Sequence, residues 1–120
     1  MYVCTIILYN NHENECNMNQ RLNDILTTIN GFYHYGDDMV HQHISLIKEA
    51  IEIIGTIEAP PASILEDAKS NALYELSNEL ASRLDESFFN ASPERRKNEF
   101  KISKVLTGVA IGNVLANMQG

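Results

Sequence analysis

Hydrophobic residues follow two different rhythms along this chain. Residues 2–9, YVCTIILY, form an unbroken β-branched and aromatic run, the pattern of a strand. From residue 19 the period becomes helical: Leu22, Ile25, Leu26 and Ile29 recur at three- and four-residue steps, and Asn30-Gly31 supplies a stop. The connector FYHYG leads to a second helix over 38–54, striped by Val40, Ile44, Ile47, Ile51 and Ile54, with Gly55 expected as its C-terminal cap. After Pro60 and Pro61, Ser63 with Glu66 three positions on reads as a capping box. It opens a long third helix whose stripe (Leu65, Ala68, Ala72, Leu76, Leu80, Leu84, Phe88) is expected to run unbroken to residue 89. Ser92 and Pro93 then cap and begin a fourth helix that reaches residue 118, and the short turn before it makes the last two helices an antiparallel hairpin.

The predicted fold is therefore mostly α: an antiparallel bundle of about four helices with an N-terminal strand or extended arm. All of residues 1–120 form a single domain, with the arm and a loop at 1–17 and the bundle at 18–120. The strand has no evident partner inside the chain, so it either pairs across a dimer axis or extends ahead of the domain. The polar run NNHENECN, residues 10–17, reads as loop.

Composition narrows the class without naming a reaction. A chain of 120 residues that is 44% apolar and 21% charged supports one modest core. The net charge of -7 repels nucleic-acid backbones and anionic membranes, so nucleic acid is disfavoured as a partner. Cys4 and Cys16 lack both the spacing of a zinc module and the density of a disulfide scaffold. The apolar opening has no basic flank or cleavage site, and residues 102–118 are interrupted by Lys104, Asn113 and Asn117. No membrane span and a cytoplasmic location are therefore expected.

Three of the four histidines lie in HYGDDMVHQH, residues 34–43, beside Asp37 and Asp38. Successive helical residues advance about 100°, so His41 and His43 point about 200° apart and cannot share a ligand from one helix. His43 falls within the apolar arc of its helix and reads as a core residue, whereas His41 falls on the wet side with Lys48, Glu49 and Glu52. Asp37 and Asp38 suit the positive end of the second helix as caps. A metal site survives as the weaker alternative only if His34, Asp37 or Asp38, and His41 converge around Gly36, joined by a residue from another helix, which would make the region a metal-dependent hydrolase.

Glu49, Glu52, Glu75 and Glu79 invite comparison with the paired acidic motifs of all-α nucleotide pyrophosphatases, but the second motif of Glu-x-x-Asp form is absent. Glu79 and Arg83 read as an exposed i,i+4 pair. Residues 94–104, ERRKNEFKISK, are net +3 against -10 for the remainder. Arg95 and Arg96 are expected to meet Asp85 and Glu86 across the turn. The alternative is an anion or nucleic-acid contact by Arg95, Arg96, Lys97 and Lys101.

In LTGVAIGNVLANM, residues 106–118, Gly108, Gly112 and Ala116 recur every fourth position. Glycine inside a helix costs about 1 kcal/mol relative to alanine, so this spacing points to close approach of another backbone. That backbone belongs either to the same chain or to a partner, and Gly108, Val109, Gly112, Leu115 and Ala116 are the expected interface. The resulting expectation is a small acidic helical protein acting through protein–protein contact, as an inhibitor, adaptor or accessory factor of the kind phages and mobile elements carry. It is expected to be a homodimer with no cofactor and no catalytic residues.

Overall fold

A computed structural model describes the backbone of residues 10–118 and the side chains of residues 18–118. The strand expected at 2–9 lies outside the described residues. Among the described residues five α-helices succeed one another: α1 (Asn10–Asn30), α2 (Asp37–Thr56), α3 (Ile64–Asn78), α4 (Glu86–Phe89) and α5 (Pro93–Met118), with a π turn at Glu79–Arg83. Among the described residues there is no strand.

The long helices alternate in direction around one core. Arg21 of α1 grips Glu49 of α2 through two hydrogen bonds of 2.5 and 2.6 Å, and Thr56 reaches back to Met18 at 3.3 Å. Along α3 and α5 the pairing runs from Ala68 beside Asn113 to Arg83 beside Glu99, an antiparallel register. The expected hairpin is therefore present. The helices interleave Leu22, Ile25, Ile29, Val40, Ile47, Ile54, Leu76, Phe88, Ile111 and Val114, all essentially without solvent contact. Burying such side chains stabilises the fold by about 1.5–3 kcal/mol each.

Four local expectations are corrected. Residues 10–17, expected as loop, are the first two turns of α1. Once the buried stripe from Leu22 nucleates the helix, each added residue costs little. Gly55 is not a cap: α2 continues to Thr56, and the chain leaves it at Ile57, whose extended backbone donates to Ile54 O at 3.1 Å. Burial of the Ile57 side chain, and a 2.7 Å bond from Lys69 Nζ to its carbonyl, fix that exit where a glycine was expected to.

The third helix is not continuous to residue 89. It passes through the π turn, in which Leu84 N donates to Glu79 O at 2.8 Å, and then breaks before α4. A strict four-residue stripe drifts about 40° per step on an α-helix, so five steps from Ala68 to Phe88 would carry it about 200° round the axis. A π turn underwinds the backbone and returns Leu84 and Phe88 to the core, where both are buried. The fourth correction follows: the same turn carries Glu79, expected on the surface, to complete burial.

Ser63 and Ser92 cap their helices, but the capping box at Ser63 is only half formed, because Ser63 N donates to Pro60 O and not to Glu66. Ser63 Oγ accepts from Glu66 N at 3.1 Å, and Ser92 Oγ accepts from Arg95 N at 3.2 Å. Ala62, between the prolines and Ser63, holds φ at 61°, a left-handed conformation that costs a side chain about 1 kcal/mol.

Candidate functional site

The histidine-rich segment does not assemble a metal site. His34 Nδ1 accepts from Gly36 N at 3.0 Å, and His41 stacks on Phe89 with ring centroids 4.9 Å apart. Asp37 pairs with Arg96 of α5 in place of capping its own helix. Each of these residues is thus held by a different neighbour. No group of three or more His, Cys, Asp or Glu able to hold an ion occurs among the described residues.

His43 is fully buried, as its place on the stripe predicts, and sits edge-on to Phe32 and Phe100. Its Nε2 lies 2.9 Å from Ser103 Oγ. The nearby Glu79 carboxylate, whose charged form the Ser103 hydroxyl favours, accepts from Arg83 Nε at 3.0 and 3.2 Å. Arg83 Nη1 continues the chain to Glu99 at 2.7 Å. Burial, with a smaller push from Lys104, pulls the imidazole down to about 4, so His43 is neutral at pH 7. Burial and the neighbouring Glu75 raise the Glu79 carboxyl, against the pull of Ser103 and Arg83.

Serine, histidine and glutamate in contact evoke a nucleophilic triad, but the order is wrong for one. The carboxylate holds the serine and not the imidazole, His43 Nδ1 has no partner among the described residues, and all three side chains are sealed from substrate. The chain of hydrogen bonds is a structural element that fixes how α2, the π turn and α5 meet.

Sequence reasoning placed His43 but missed Glu79 and Ser103. The signal that could have found Glu79 is the drift of the α3 stripe, which demands underwinding at that point.

The basic segment divides. Arg96 is committed to Asp37 and lies over the rings of Phe88 and Phe89, at 5.4 and 6.0 Å. Its expected neighbours behave otherwise: Asp85 caps α4 through Ser87 N at 3.0 Å and forms no ion pair with Arg95 or Arg96. Lys97 and Lys101 stay exposed and line a pocket with Lys104, which the sequence reading had not included.

The remaining face of α5 is apolar and open. Ile102, Val105 and Val109 are 44%, 61% and 56% exposed, and helical geometry aligns them with Gly112 and Ala116 in one stripe between α1 and α3. Of the five residues expected at an interface, Leu115 is corrected: it packs inside the chain's own core, because it lies on the α1-facing side of α5. A methyl group at Gly108 would meet Leu26 Cδ1 at 3.6 Å, which is ordinary side-chain contact and not close backbone approach. A methyl group at Gly112 would meet no described atom within 4 Å. Packing within the described chain therefore gives no reason for glycine at 112.

No protein-family model, curated protein or solved structure matches this chain. No described helix is long and apolar enough to cross a membrane.

Proposed function

We propose that this protein works by protein–protein contact, with the outer stripe of α5 as its docking face and a second copy of the chain as the occupant. The observation that carries the reading is the exposed run Ile102, Val105 and Val109, three large aliphatic side chains on one face of the longest described helix. Single exposed aliphatics are ordinary on a protein surface, whereas an aligned series continued by Gly112 and Ala116 is not.

The stripe is complementary to itself. Two α5 helices crossing antiparallel about a two-fold near position 107 set Val105 against the partner's Val109. The same operation sets Ile102 against the partner's Gly112, so that a large side chain meets the place where one is missing. A contact of about 20 Å along one helix pair is small, which places the association in the weak, reversible class. An inhibitory, adaptor or accessory role is compatible with such a module, and no reaction is assigned to it.

The test is orientation-specific cross-linking. In a background with Cys4→Ser and Cys16→Ser, a chain carrying Val105→Cys is mixed with one carrying Val109→Cys under mild oxidation. The expected product is the mixed disulfide in preference to either like pair. Absence of any disulfide, or preference for like pairs, contradicts the arrangement.

A further inference from the structure

The connector between α1 and α2 crosses the first half of α5 and borders an open pocket of about 240 Å³. On the helix side stand Lys97, Lys101 and Lys104, spaced four and three residues apart along one face; on the connector side stand Tyr33 and His34. Phe32 and Phe100, stacked at 6.3 Å, contribute apolar surface between them.

Each feature of the lining favours an anion. No carboxylate belongs to it. The Phe32 carbonyl is already taken by Lys104 Nζ, and the Tyr35 carbonyl accepts from Arg96. Because His34 Nδ1 accepts from Gly36 N–H, the neutral ring carries its proton on Nε2 and can only donate there. Among the described residues Lys97 and Lys101 have no ion-pair partner. The connector side of the pocket is held against α5 at Phe32 and Tyr35, and the Gly36 bond fixes the His34 ring.

The aromatic lining adds a second requirement. Tyr33 is 84% exposed, a large ring held out toward solvent with only the edge contact to His34 at 4.9 Å. We propose that this pocket binds a small phosphate ester carrying a planar ring, of the mononucleotide class. Lys97 and Lys101 receive the phosphate, and Tyr33 stacks on the ring. The volume suits a ligand with one ring system and a phosphate. A long nucleic-acid strand is a poorer occupant, because beyond the pocket it would run over a surface that is net -10 outside residues 94–104. A small ligand feels mainly the charges within a Debye length of about 8 Å. This site is independent of the α5 docking stripe.

Titration calorimetry and ring-proton NMR with adenosine monophosphate test the assignment on the full chain. The expected result is one-to-one binding that shifts the Tyr33 and His34 resonances and weakens with added salt. Lys101→Ala and Tyr33→Ala should each reduce affinity about tenfold, and adenosine or ribose 5-phosphate alone should bind less tightly than the nucleotide. Both altered side chains are exposed, so circular dichroism of the variants should be unchanged. The proposal is overturned by absence of nucleotide binding at millimolar concentration, by equal affinity of Lys101→Ala, or by a single-stranded oligonucleotide binding where the mononucleotide does not.

Discussion

At one end of the bundle Leu22, Ile54, Ala68, Ala72, Ile111 and Val114 meet with no polar side chain among them, while at the other end His43, Ser103, Thr107 and Glu79 are buried just as deeply. The apolar end draws its stability from area removed from water and is indifferent to register shifts that preserve volume. The polar end gains less from burial, because each desolvated group must recover its lost water through a partner. What it gains is definition: directional contacts from His43 to Ser103 and from Arg83 to Glu79 and Glu99 tie α2, the π turn and α5 to one another. The contrast also predicts that stability at one end is insensitive to pH and at the other is not.

A paired substitution gives the largest effect. Ile111→Ala should cost about 3 kcal/mol by leaving a cavity, equally at every pH where the chain is folded. Arg83→Met should cost a similar amount at neutral pH, about 3 kcal/mol, because it strands the buried Glu79 carboxylate. That second cost should shrink on acidification, as Glu79 takes up a proton. Urea denaturation at pH 7 and pH 5 measures both, and pH-independent behaviour of Arg83→Met would erase the distinction between the two ends.

Acidification of the unaltered protein should come next in size. Below pH 6.5 the unfolded chain protonates its histidine, whereas folded His43 resists until about pH 4. The stability that His43 contributes is therefore fully present above pH 6.5 and falls as pH drops through that window, by up to about 3 kcal/mol. Glu79 acts in the opposite sense, because its raised folded value makes protonation favourable to the folded state. Thermal unfolding between pH 7 and pH 4 should show a net loss, and His43→Gln should flatten it. An unchanged slope in that variant would place the acid sensitivity elsewhere.

The smallest stability change belongs to neither end. Ala62→Gly should raise stability by a few tenths to about 1 kcal/mol by relieving the left-handed backbone, despite the greater freedom glycine gives the unfolded chain. A loss of stability on that substitution would show that the linker backbone is not strained.

Much of this architecture is legible in the chain itself. Helical spacing of Leu22, Ile25 and Ile29, the caps at Ser63 and Ser92, and the proline opening α5 each act locally, so local patterns reveal them. The burial of His43 follows from its place among Val40, Ile44 and Ile47. What sequence reading loses is long-range consequence. Glu79 looks like a solvated i,i+4 partner of Arg83 until the winding of the whole α3 stripe is followed through the π turn. Arg96 finds Asp37, 59 residues away, over the nearer Asp85 and Glu86. The lysine pocket likewise needs a connector from one helix pair laid across another helix, an arrangement that no spacing within either segment encodes.

The docking face is tested most directly by Gly112→Leu, examined by sedimentation equilibrium over a wide concentration range alongside thermal unfolding. Within the described chain a side chain at 112 has open space and should improve helix stability, yet across the two-fold it would occupy the place that receives Ile102. The unaltered protein should move from 13.5 kDa toward twice that mass as concentration rises, while the variant unfolds at an equal or higher temperature and stays at 13.5 kDa. Equal self-association of the two proteins, or a monomer throughout for both, would contradict the account.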